Sequence, residues 1–110
     1  MFQWNIRVYF EDTDSGGVVY HANYLKFMER ARTEWLRSLG LSQTKLKKED
    51  KVIFVVRHID IQYKIPARFN DALVVNTNRI KTTDYSIILK QNIFRDAEII
   101  SQGQVEIVCV

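Results

Sequence analysis

The chain has 110 residues, a formal charge of +3 and a pI near 9.1, which is enough for one small domain with little apolar surface to spare, so association with further copies is expected. The mild positive balance suits a phosphate-bearing ligand, but no basic run interleaved with aromatics argues for nucleic acid. A lone cysteine, Cys109, excludes an intrachain disulfide and a paired-cysteine metal site, while the absence of a membrane-length apolar stretch and of signal-peptide blocks in Met1–Arg7 predicts a cytoplasmic protein.

No repeat, low-complexity tract or Pro/Gly/Ser linker divides the sequence, so residues 1–110 are read as one domain. Ile6 to Phe10 reads as a short strand. A helix follows from Tyr24: Tyr24, Phe27, Met28, Ala31, Trp35 and Leu39 share one face, with Lys26, Glu29, Arg30, Thr33 and Arg37 on the other. Asn23 is its expected cap and Gly40 its expected stop. Leu25 and Leu36 widen the apolar stripe, which predicts packing on a broad surface such as a sheet.

After a polar, lysine-rich stretch from Ser42 to Lys51, strand period takes over. Val52 to Lys64 sets Arg57, Ile59, Ile61 and Tyr63 against His58, Asp60 and Gln62. Ala72 to Lys81 and Tyr85 to Phe94 flank the short connection Thr82-Thr83-Asp84 and read as a hairpin. Arg95 to Glu98 breaks the pattern again before a last strand, Ile99 to Val110. Pro66 falls in the loop Ile65–Arg68, where its missing amide hydrogen does least harm. One strand, a long helix and further strands make an α+β plan, with the helix across one face of an antiparallel sheet.

Chemistry is expected at the junction before the helix, where residues 9–24 read Tyr-Phe-Glu-Asp-Thr-Asp-Ser-Gly-Gly-Val-Val-Tyr-His-Ala-Asn-Tyr. Gly16 and Gly17 free the backbone to present Asp14 beside the amides that open the helix. By residue type alone, Asp14 and Asp12 read as turn residues and His21 as a structural hydrogen-bonder. No ligand cluster accompanies the two acids, so no metal site is assigned. His58 reads as a sheet-face residue, and Arg57, Lys64 and Arg68 as solvated charges despite their suitability for phosphates. Trp4 and Trp35 read as core or subunit contact.

The ordered series Glu11-Asp-Thr-Asp14-Ser-Gly-Gly-Val-Val-Tyr-His21-Ala-Asn-Tyr24, followed by Met28-Glu-Arg-Ala-Arg-Thr-Glu-Trp35-Leu, resembles the hotdog-fold acyl-CoA thioesterases of the 4-hydroxybenzoyl-CoA thioesterase class. It is most similar to the YbgC-like, Tol-Pal-associated branch, and the likeness extends through Phe54-Val-Val-Arg57, Tyr63, Pro66-Ala-Arg68 and Val108-Cys-Val110.

That resemblance implies a five-stranded antiparallel sheet wrapped around one long helix, dimers that join two sheets, and tetramers built from them. It implies hydrolysis of acyl-CoA to a free acid and coenzyme A without a cofactor. Asp14 would be base or nucleophile, with His21 beside it, and Gly17, Tyr20, Ala22, Asn23 and Tyr24 would line the substrate site. Acyl carrier protein is a further expected partner. The chemistry agrees: a thiolate leaves readily, so the reaction needs only an activated nucleophile and donors for the oxyanion, here the amides around His21, Ala22 and Asn23.

An alternative is a non-hydrolytic scaffold that binds acyl-CoA or acyl carrier protein near phospholipid synthesis and the cell envelope. The hotdog dehydratases fit less well, because their helix-borne histidine and acid are not matched. One departure is visible: relatives in this branch often carry tyrosine four positions before the aspartate, where this chain has Phe10. Read as neighbours on a strand, Tyr9 and Phe10 point oppositely, so Tyr9 does not substitute. Relatives also usually run on in a short tail beyond the strand on which this chain stops.

Overall fold

In a computed structural model that describes all 110 residues, five strands form one antiparallel sheet: β1 (Phe2–Arg7), β2 (Phe54–Tyr63), β3 (Ala72–Thr82), β4 (Ser86–Arg95) and β5 (Glu98–Cys109). Their spatial order is β1-β3-β4-β5-β2. The helix α1 (Asn23–Ser38) lies on one face. This is the expected hotdog architecture. Its core is a contact between the helix stripe Tyr24, Phe27, Met28 and Ala31 and inward-facing strand residues such as Leu73, Val75, Leu89, Ile93 and Val105.

At Gly103 of β5 the helix comes closest. A Cβ there would sit 2.5 Å from the Met28 terminal methyl and 3.3 Å from the Gln91 carbonyl oxygen, so the position suits a residue with no side chain.

Several element boundaries differ from the sequence expectation, each for a local reason. The first strand lies earlier than Ile6–Phe10: the Val8 amide still donates to the Asp71 carbonyl in register with the β1–β3 ladder, but Tyr9 is drawn onto Asp12 and Phe10–Asp12 closes a 3₁₀ turn. Tyr9 and Phe10 are therefore not strand neighbours, and strand alternation does not set the directions of their side chains. Both are exposed, with Phe10 edge-on to Phe69 at 5.8 Å. Ala22, not Asn23, caps α1. The expected stop holds: Gly40 has φ +81°, and the Leu41 amide closes back on the Leu36 carbonyl. The polar stretch contains a short helical turn, Gln43–Lys45, that runs into a π turn, Leu46–Asp50.

In β2 a bulge between Val56 and His58 breaks the alternation. Arg57 therefore leaves the row of Ile59, Ile61 and Tyr63 and pairs with Glu106 through two hydrogen bonds of 3.1 and 2.6 Å. Strand β2 is an edge, opposite β1, with its outer rim unpaired within the chain.

Candidate active site

The loop between β1 and α1 is built by backbone and carboxylate together. Asp12, buried, accepts from the Tyr9 amide at 2.8 Å and from Asn23 Nδ2 at 2.9 Å, so one carboxylate ties the 3₁₀ turn to the first residue of the helix. Thr13 and Val19 form a bridge, and the Gly17 amide closes a turn onto the Asp14 carbonyl at 3.1 Å. Gly17 has φ +80°, which an L side chain resists. Across this loop runs the β2–β3 crossover: Val18 bridges Arg68, the Val19 amide donates to the Ala67 carbonyl, and the Ala67 amide donates to the Tyr24 hydroxyl at 3.0 Å.

Asp14 sits exposed at the tip. One oxygen accepts from the Gly16 amide at 2.8 Å, and the other has no partner within the chain. His21 is also exposed, its ring 4.6 Å from Tyr20 and 6.3 Å from Tyr63. No hydrogen bond joins the Asp14 and His21 side chains. The structure thus places both on one tethered loop and start of helix without pairing them.

The oxyanion donors can be counted. The amides of His21, Ala22 and Tyr24 have no acceptor within the chain, whereas the Asn23 amide already donates to the Tyr20 carbonyl at 2.8 Å. Asn23 is thereby removed from the expected donor set, since its amide and its side chain are both occupied. Tyr24 contributes its backbone only: its ring is in the core, and burial raises its phenol above the ordinary value, partly offset by the Ala67 amide. Three N–H groups at the positive end of the helix dipole thus have no acceptor within the chain.

Two further polar residues carried no assignment in the sequence. Tyr63 of β2 donates its hydroxyl hydrogen to the His21 carbonyl at 3.0 Å. Strand period places Tyr63 on the inward row but does not reveal what it meets. Arg32, four residues after Met28 and so on the inner side of α1, is buried and donates to Gln91 Oε1 at 3.0 Å. Of the basic residues considered for phosphates, Arg57 is occupied by Glu106, while Lys64 and Arg68 are exposed.

Comparison with known proteins gives a consistent result. The thioesterase superfamily model matches residues 16–100. The Haemophilus influenzae protein described as acyl-CoA thioesterase YbgC is 43% identical over 109 residues, covering 99% of this chain and 80% of that protein. An Escherichia coli protein described as acyl-CoA thioester hydrolase YbgC is 44% identical, covering 100% of this chain and 82% of its own length. Among solved structures, a probable thioesterase from Bartonella henselae superposes with a TM-score of 0.95 at 35% identity, over 98% of this chain and 90% of that one. Fold, loop and full-length identity lead to one assignment: the chain belongs to the thioesterase superfamily, as a hotdog-fold homologue of the YbgC acyl-CoA thioesterases.

Proposed function

We propose that the protein hydrolyses acyl-CoA thioesters, with the thioester carbonyl oxygen received by the free amides at the start of α1 and the carbonyl carbon attacked under the control of Asp14. The observation that carries this reading is the set of unpaired His21, Ala22 and Tyr24 amides beside a loop that leaves one Asp14 oxygen unpartnered. As general base, Asp14 takes a proton from water while the new C–O bond forms; the C–S bond then breaks and the coenzyme A thiolate departs. As nucleophile, its oxygen bonds to the acyl carbon while the C–S bond breaks and the thiolate departs, and water then opens the anhydride to the free acid and the Asp14 carboxylate. His21 is assigned to hold water or to protonate the departing sulfur, since its ring nitrogens can both donate and accept hydrogen bonds.

The acting form is proposed to be a homodimer joined through the free edge of β2, with two dimers associating into a tetramer. Ile53, Val55 and Val56 leave apolar surface exposed near that edge, which supports the first step. A cytoplasmic address, suited to the free Cys109, and acyl carrier protein as a second carrier of substrate belong to the same proposal.

A thiol-release assay on an acyl-CoA panel tests it. Wild type is expected to turn over and Asp14→Asn to lose at least about a hundredfold in kcat, the scale of general acid–base catalysis. Equal rates in both would leave a binding scaffold as the better reading. Single turnover in ¹⁸O-water tests the nucleophilic route, because an unlabelled acid arises only when water opens an anhydride at the Asp14 carbonyl.

A further inference from the structure

Arg32 is a charge without a counter-ion. Its residue is only 8% exposed, it forms no ion pair, and Gln91 Oε1 is the single hydrogen-bond partner it finds in the chain. Buried guanidinium groups are ordinarily paired, because desolvation removes hydration that an opposite charge with good geometry replaces. Burial accordingly pulls this guanidinium below its ordinary value, and Glu29 only partly opposes the shift.

The arrangement around it is built. Gln91, fully buried, donates through Nε2 to the Met28 carbonyl and to Thr77 Oγ1, both at 3.0 Å. With its donors committed, its Oε1 must face Arg32, which fixes the guanidinium at the side of α1. There Arg32 lines a groove of about 270 Å³ together with Leu36, Phe54, Val56 and Ile107, and with Glu29, Thr33 and Gln43. One wall of four apolar residues, with a largely buried cation beside it, matches a short acyl chain that ends in an anion. Glu29, one turn earlier and exposed, acts on Arg32 as an opposite charge but forms no ion pair with it, so the guanidinium nitrogens not used by Gln91 are open to the groove.

The groove lies roughly 14 Å along the helix from the free amides, at 1.5 Å per residue, too far to serve the same chain's Asp14 with a short ligand. An edge-to-edge dimer removes that distance. Antiparallel pairing of two β2 strands about their midpoint sets Tyr63, bonded to His21, opposite the Phe54 end of the second copy, where the groove opens.

We propose that Arg32 and this groove form the acyl subsite of the dimeric active site and select short acyl chains terminating in a carboxylate. The inference rests on the thioesterase and dimer reading above. The carboxylate would take two of the unused guanidinium N–H groups side by side, with Leu36, Phe54 and Val56 against the methylenes.

The test uses a length-matched pair, glutaryl-CoA and pentanoyl-CoA, with wild type and Arg32→Gln. Wild type is expected to favour glutaryl-CoA in kcat/KM by at least about tenfold, the scale of one charge-assisted contact, and the variant to lose that preference. No preference in wild type, or the same preference in a folded Arg32→Gln, overturns the proposal. Because that variant removes a core partner of Gln91, calorimetric titration of wild type with glutarate and with its uncharged diamide gives a second reading independent of turnover. Selective glutarate binding supports the subsite, and equal or absent binding overturns it, as it would if a second copy covered Arg32 with its own groups. Loss of the Asp14 dependence with glutarate selectivity intact would sink the mechanism and spare the subsite.

Discussion

The Tyr63 hydroxyl, on the edge strand β2, donates to the carbonyl oxygen of His21, 42 residues earlier in the chain, at 3.0 Å. That carbonyl belongs to the same planar peptide as the Ala22 amide, so holding one end sets the direction of the other. Tyr63→Phe is expected to lower kcat by roughly three- to tenfold with little change in KM, and stability by no more than about 1 kcal/mol, the usual net worth of one such bond. Steady-state kinetics paired with urea unfolding measures both. An unchanged kcat would show that the peptide holds its direction without the phenol.

Asp12 is expected to matter for folding more than for chemistry. Its buried carboxylate accepts from the Tyr9 amide and from Asn23 Nδ2, and Asp12→Ala orphans both donors. A loss of about 2–4 kcal/mol in urea unfolding is expected, from two hydrogen bonds to a charged acceptor. A loss under about 1 kcal/mol would mean that the loop repacks without its clamp.

Phe10 stands where relatives in the branch often carry tyrosine. It is 76% exposed on a 3₁₀ turn, against Phe69 rather than His21. Phe10→Tyr is therefore expected to leave kcat within about threefold, well short of the hundredfold scale of acid–base assistance. A gain of orders of magnitude in the thiol-release assay would show that a phenol at this position is required after all.

Gly103→Ala is expected to destabilise by about 1–3 kcal/mol through overpacking. The added methyl group would meet the Met28 methyl at 2.5 Å, and the Gln91 carbonyl oxygen at 3.3 Å leaves it little room to escape. In a double-mutant cycle with Met28→Ala, part of that loss should vanish, because the truncated side chain vacates the contact. Strict additivity would rule out the clash as the cause.

Asp71 supplies a pH dependence. Burial by itself raises its carboxyl, but the Arg68 amide at 2.8 Å and the Arg95 guanidinium at 2.7 Å outweigh it and hold the group below its ordinary value of 3.8. A depressed folded value means that the stabilisation is full above 3.8 and is lost as pH falls through the folded value. Asp71→Asn should therefore be less stable than wild type at pH 7, with the gap closing below 3.8. A gap that persists undiminished in acid would assign the effect to something other than ionisation.

The expected α+β class, the long helix and its Gly40 stop were legible because each rests on local chemistry: a 3.6-residue apolar stripe, two-residue alternation and a left-handed stop suited to glycine. The junction from Asp14 to Tyr24 was legible as an ordered motif. Where local signals competed with side-chain hydrogen bonds, boundaries moved, as when Asp12 drew Tyr9 out of the strand pattern.

Strand order, the bulge at Arg57 and the use of the Asn23 amide were settled only in three dimensions, since nothing local states which distant group a donor will meet. The bond from Tyr63 to His21 and the unpaired charge of Arg32 are of the same kind. Residue type announces a phenol or a guanidinium, but whether it is spent on the fold or left for a ligand depends on which groups the packed sheet brings within hydrogen-bond reach.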